Sequence, residues 1–245
     1  MIFFVDILSI LDLSFWFEKR DYLPQLLWVH IFTEGSITEH IQWFFLGLSL
    51  LFAIYCRQLR IGTYVRSPVK WFFLQFGLLV MAAEDMLNIR HRIVFFFAFI
   101  SDIDFYIFKT SIWGSFVEIT FYLMIGISML LFLFFILRDK MEPLFGKKLL
   151  VASYLLYGLA AVGSATRHIG NWYTVVGERL LDLLISDFAV NWSADSQAGL
   201  YTLGYWFMDF VIEESIELLA ATFILASIVA FIAYSKVKQN NIGTS

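Results

Sequence analysis

Five separate runs of this chain are long and apolar enough to cross a lipid bilayer, and no other feature restricts its fold so severely. They cover approximately residues 40–56, 71–89, 112–137, 149–166 and 205–234. A hydrocarbon core about 30 Å thick takes roughly 20 helical residues. Inside that core every backbone donor and acceptor must be satisfied within its own segment or within a closed barrel. Runs of this length and composition satisfy that demand as helices. Composition agrees: 60% of the 245 residues are hydrophobic and 16% are charged, against about a quarter charged in ordinary soluble domains. The expected fold is an all-α, polytopic transmembrane helix bundle with five spans, six if 1–17 also crosses, plus amphipathic interfacial helices.

All three prolines (Pro24, Pro68, Pro143) fall outside the five runs, so the spans are expected to be continuous helices. The chain divides into an amino-terminal interfacial or additional membrane segment (1–38), the bundle (39–235) and a short tail (236–245). Residues 1–17 are apolar, but Asp6 and Asp12 interrupt them and no positive charge precedes them. They read as a retained segment rather than a cleaved signal. The loops 90–111 and 167–204 contain amphipathic stretches. In 174–190, Glu178, Asp182 and Ser186 oppose Leu180, Leu181, Leu183 and Leu184.

Charge fixes the expected orientation. The loop 57–70, the loop after residue 137 and the tail together carry ten of the seventeen Lys and Arg but only two of the twenty-one acids, Asp139 and Glu142. That side is expected to face the cytoplasm, carboxyl terminus included, in a bacterial cytoplasmic membrane. A net charge of −4 supplies no basic patch for nucleic acid, and the lone cysteine, Cys56, forms no internal disulfide.

The remaining polar residues gather at one depth. Glu84 and Asp85 lie late in the second run, and Glu118 lies two turns into the third. Arg167 and His168 end the fourth, and Asp209, Glu213, Glu214 and Glu217 occupy the opposite-side half of the fifth. Asp209, Glu213 and Glu217 are four apart and form a stripe on one helix face. Glu84, Asn88 and His91 are expected to share a second face, and Ser164 and His168 a third. A charge facing lipid costs several kcal/mol, roughly 3 or more, so these faces should turn inward. Seven carboxylates so close together cannot all be ionised without protons, arginines or a cation to neutralise them.

Three functions suit that layer. In the first it is a structural salt-bridge network in a non-catalytic membrane subunit, with Arg90, Arg92 and Arg167 pairing the acids. In the second it is an outer-leaflet site for a divalent metal, with Glu118, Glu213 and Glu217 as ligands and His91 and His168 assisting. A metal-bound water would then lose its proton to Glu84 or Glu214, while Arg90 and Arg167 hold an anionic group of a membrane lipid or other amphipathic substrate; the activity would be hydrolysis. In the third, the acids mark the path of a proton- or cation-coupled transporter.

Glu84-Asp85 shortly before Arg90-His91, together with Glu213-Glu214-Ser215-Ile216-Glu217, resembles a pattern in uncharacterised multi-pass bacterial membrane proteins. These carry an acidic-then-histidine element after one helix and a Glu-Glu-x-x-Glu element in the last. The resemblance implies a bacterial origin and no particular activity. Ser164-Ala-Thr-Arg-His168 resembles the first zinc element of the seven-span membrane hydrolases related to alkaline ceramidases. In place of their late histidine pair this chain has Glu213 and Glu217.

Overall fold

The computed structural model describes residues 37–61, 69–87, 89–109, 111–140, 142–184 and 203–243. Every regular element among them is helical. They are α1 (Ile37–Ile61), α2 (Val69–Leu87), α3 (Ile89–Ile100), α4 (Phe105–Lys109), α5 (Ile112–Arg138), α6 (Leu144–Thr166), α7 (Trp172–Leu184), α8 (Leu203–Trp206) and α9 (Glu214–Gly243). A π-helical segment, Phe207–Glu213, joins α8 to α9.

Among the described residues, four stretches are long and apolar enough to span a membrane: Ile37–Leu59, Ile112–Arg138, Leu144–Thr166 and Gly204–Val237. A fifth arises only if Val69–Leu87 and Arg92–Ile100 are counted together, and these two meet at a 71° bend. The expected continuity fails at the π segment, whereas the bend falls at the end of the second expected run, 71–89, where a loop was expected to begin. Neither break involves proline, so the usual sequence marker was missing. The possible sixth span, residues 1–17, lies outside the described residues, as do the tail's last two residues.

Specific contacts establish the antiparallel order. Gln42 reaches Asp85 and Arg57 reaches Gln75, pairing α1 with α2. On α6 and α9, Ser227 donates to the Gly146 carbonyl and Ser153 to that of Ala220, both at 2.8 Å. Small residues let these backbones approach, as expected where lipid supplies no hydrophobic drive for helix association. A Cβ at Gly146 would sit 2.7 Å from the Phe231 ring. Between the helices lies an apolar core that includes Leu46, Trp71, Leu78, Phe132, Leu150, Ile224 and Phe231, all fully buried.

Outward, the pattern inverts that of a soluble protein. Phe44, Leu51, Phe99, Leu155 and Leu159 are exposed, and only 28–33% of the most apolar window of each of the four spans is buried. Contiguous apolar surface on this scale needs a hydrocarbon solvent.

Away from the acidic layer, the far end of the bundle holds a buried ionic cluster. Lys70 Nζ lies 2.5 Å from Asp139 and 3.0 Å from Glu142, whose side chain is wholly inaccessible. Lys147 donates to the Leu137 and Asp139 carbonyls, the last ones left open by the end of α5. Lys70 and Lys147, counted above as loop charges, are therefore interior residues, and the two acids of that side are paired with Lys70.

Candidate functional site: an acid-lined cavity at one end of the bundle

The five apolar helices converge on a cavity of about 300 Å³ near the ends of α1 and α2 that carry Gln42 and Asp85. Seven acids line it: Glu39, Glu84, Asp85, Asp209, Glu213, Glu214 and Glu217. Arg167 is the only cation among the described lining residues. The rest of the wall is Gln42, Tyr122, Tyr154, Tyr157, Phe210 and apolar residues that include Met81, Ile125, Met129 and Leu130.

The carboxylates of the last span are held by three different helices. Arg167, which follows α6, donates to Asp209 at 2.6 Å. Tyr173, in the first turn of α7, donates its hydroxyl to Glu213 at 2.6 Å. Gln42 of α1 donates its amide to Glu217 at 3.0 Å and to Asp85 of α2 at 2.9 Å. Asp209 and Glu213 belong to the π segment, where the wider turn changes the helix phase just before Glu217. Such wide turns occur mostly as single-turn bulges, frequently at functional sites.

Outside the spans, burial and charge set the protonation of three groups. Burial works against the Arg167 charge, but Asp209, with Tyr205, Glu213 and Glu118, outweighs it and holds the guanidinium charged beyond its usual range. Burial lowers His168 to about 4, helped by the positive charges of Arg167 and Lys109 and opposed by Asp209, so its imidazole is neutral at pH 7. Burial raises the Tyr173 phenol, as do the negative charges of Glu213 and Asp209, so it remains a donor.

The chain turns after α6 through residues 167–171, with Gly170 at φ +69°, a conformation glycine adopts without strain. That turn swings α7 back so that Tyr173 reaches Glu213. Gly177 and Gly204 let α7 and α8 touch: a Cβ at Gly204 would fall 2.6 Å from the Glu178 backbone nitrogen.

Of the residues singled out from sequence, Glu84, Glu213, Glu214, Glu217 and Arg167 line the cavity. Glu118 does not; it is buried behind the lining, with one carboxylate oxygen lacking a hydrogen-bond partner. Neither does His168, which stacks on Tyr205 with ring centroids 6.3 Å apart. Because α6 ends at Thr166, His168 stands on the turn that follows it. The expected Glu84–Asn88–His91 face falls mostly outside the described residues. Asn88 and the side chains of Arg90 and His91 lie outside the described residues, as do Ser186 and Leu184's side chain. Arg92 is exposed. On α7, Glu178 and Asp182 face outward as expected, but Leu183 is 81% exposed and the buried stripe is Tyr173, Gly177 and Leu181.

Among the described residues no group of three His, Cys, Asp or Glu is placed to hold a metal ion. The expected ligand set is divided: Glu213 and Glu217 line the cavity, Glu118 and His168 stand off it. Glu39, Gln42 and Tyr173 were missed. Gln42 and Tyr173 are uncharged, and Glu39 lies at the start of a span, where an acid carries no signal of its own.

Comparison with known proteins finds no matching protein family, no similar curated protein and no matching solved structure. Fold and surface together define a class: an all-helical integral membrane protein that crosses the bilayer several times.

Proposed function

We propose that this chain is a cation-binding protein of the bacterial cytoplasmic membrane, in which a cation enters the acid-lined cavity and displaces protons from its carboxyls. One observation carries the reading: among the described residues, seven acids and a single guanidinium line the same space of about 300 Å³. Asp209 already neutralises that guanidinium, which leaves an acid surplus that must carry protons or a cation. Proton–cation exchange of this kind is the elementary step of a coupled transporter, and transport is the physiological role that fits best.

In this reading the carboxyl terminus faces the cytoplasm. Eight of the ten positive charges on that side support this after Lys70 and Lys147 are set aside as interior. The hydrolase reading has less support, because Arg167 is engaged by Asp209 and the proposed metal ligands are divided.

The test is proton release from the purified full chain in weakly buffered detergent. Sodium, potassium, magnesium, manganese(II) and an organic ammonium are added in turn. At least one cation should release protons saturably and raise the unfolding temperature. The Glu213→Gln/Glu217→Gln double variant should lose both effects while remaining folded. Silence across the whole series, or an unchanged response in the double variant, would overturn the proposal.

A further inference from the structure

The cavity is not closed on its lipid side. Leu123, Ile127 and Leu130 form an exposed stripe of α5 at i, i+4 and i+7, and Leu155, Leu159 and Val162 form the same stripe on α6. Leu130 is 59% exposed and yet belongs to the cavity wall. Gly158, beside Leu159, is likewise exposed and in the wall, and Gly126 of α5 joins them there. A Cβ at either glycine would meet nothing within 4 Å. Deeper in the bundle the two helices close, where the Tyr154 hydroxyl meets Met129 Sδ at 3.8 Å. Short of that contact the glycines leave a notch that joins the cavity to the outer surface of the bundle.

Depth decides what the notch faces. Gly158 lies eight residues, about 12 Å, inside the end of α6 at Thr166, and Gly126 sits near the midpoint of α5. Both positions are within the apolar thickness of the spans, so the notch opens on hydrocarbon and not on water. The wall behind it is graded in the same direction. Asp85 stands two residues from the end of α2 and Glu39 two residues from the start of α1, whereas Met81, Ile125 and Met129 line the deeper part. Methionine side chains adapt to an irregular apolar guest.

A thin apolar chain suits that opening and a protein segment does not. A helix with its side chains is about 10 Å across, too wide for a space of about 300 Å³ walled by five helices. An extended peptide would carry unpaired backbone donors and acceptors into hydrocarbon. An acyl chain has neither difficulty, and it is the solvent on that face. We infer that the notch between α5 and α6 is a lateral portal, through which one acyl chain of a membrane phospholipid enters the cavity and rests against Leu130, Met129 and Met81. The inference does not depend on the cation-binding reading, since the carboxyls occupy the other end of the same space.

The test maps where lipid touches the protein. The full chain is reconstituted in phosphatidylethanolamine and phosphatidylglycerol vesicles with a small fraction of phosphatidylcholine that carries a photoreactive diazirine midway along one acyl chain. After illumination, adducts are located by mass spectrometry. They should appear at outward residues such as Leu155 and Leu159, as on any spanning protein, and also at Met81 and Met129, which a lipid outside the bundle does not reach.

Gly126→Leu and Gly158→Leu each fill the notch. Both should lose the Met81 and Met129 adducts and keep those at Leu155 and Leu159, which report that the variant is inserted. A parent without interior adducts would overturn the inference, whether the notch is then empty or filled by residues 1–36 or by a second copy of the chain. Interior adducts that persist in both variants would overturn it too, because the lipid would be entering elsewhere. No cation takes part in this readout, so its failure leaves the cation-binding reading standing, and silence in the proton-release assay leaves the portal standing.

Discussion

Gly177→Ala should loosen the grip of α7 on the acid-lined cavity, and the contact geometry sets the size of the effect. A Cβ at this position would lie 1.9 Å from the Gly204 carbonyl oxygen and 2.6 Å from its carbon. The obstacle is backbone and has no rotamer to yield, so α7 and α8 must separate by roughly 1.5 Å to reach ordinary van der Waals contact. Overpacking of this kind costs about 1–3 kcal/mol. A shift of that size also breaks the 2.6 Å hydrogen bond from Tyr173 to Glu213, worth about 1–3 kcal/mol more. Against this, alanine is a better helix former than glycine by about 1 kcal/mol. The net expectation is a loss of about 1–5 kcal/mol. Gly158→Ala is the matched control, since it has the same propensity gain and its Cβ meets nothing within 4 Å. Reversible unfolding in mixed micelles, followed by tryptophan fluorescence, measures both. If Gly177→Ala proves as stable as Gly158→Ala, the α7–α8 contact is not the close one described and the reasoning is refuted.

Three further outcomes are expected. Lys70→Met should destabilise the bundle by about 3–5 kcal/mol, because it strands Asp139 and the inaccessible Glu142; the Lys70→Met/Glu142→Gln pair should cost less than the sum of its singles in a double-mutant cycle. His168, at about 4 in the fold against 6.5 unfolded, binds fewer protons when folded. Its contribution to stability should therefore fall as pH drops from 6.5 toward 4, and His168→Gln should flatten that part of the unfolding profile relative to the parent. Cys56, 1% exposed, should resist a maleimide in the folded protein and react once denaturant is added; prompt labelling of the folded chain would contradict its burial.

The spans were legible because hydrocarbon demands long apolar runs, and all four of the clear ones overlap their expected positions. Their ends were not. Residues 144–148 were assigned to a loop because Lys147 and Lys148 are charged, yet Lys147 is drawn inside by the open carbonyls at the end of α5. Depth was legible as well: the acids of α2 and the last span do meet. Rotation was not, and this is why Glu118, at the right depth, stands off the cavity while Glu39 takes a place in its wall. The partners of the acids were the least visible. A glutamine in an apolar run and a tyrosine in a loop carry no charge, so no spacing rule singles out Gln42 or Tyr173. The bend after α2 carries neither proline nor glycine, but the apolar run was expected to end at 89, close to where it falls.

The wide turn at Phe207–Glu213 also acts as a phase adjuster between two clamps. Asp209 is locked to Arg167 near its start and Glu217 to Gln42 just beyond its end. Losing one residue from a regular helix turns everything beyond it by about 100°. Loss of one residue from this stretch would rotate Glu217 away from α1 even as the hydrogen bonding became more regular. Local ideality and the arrangement of the carboxylates are thus opposed here: the chain keeps a less regular coil so that two halves of one helix can answer to different neighbours.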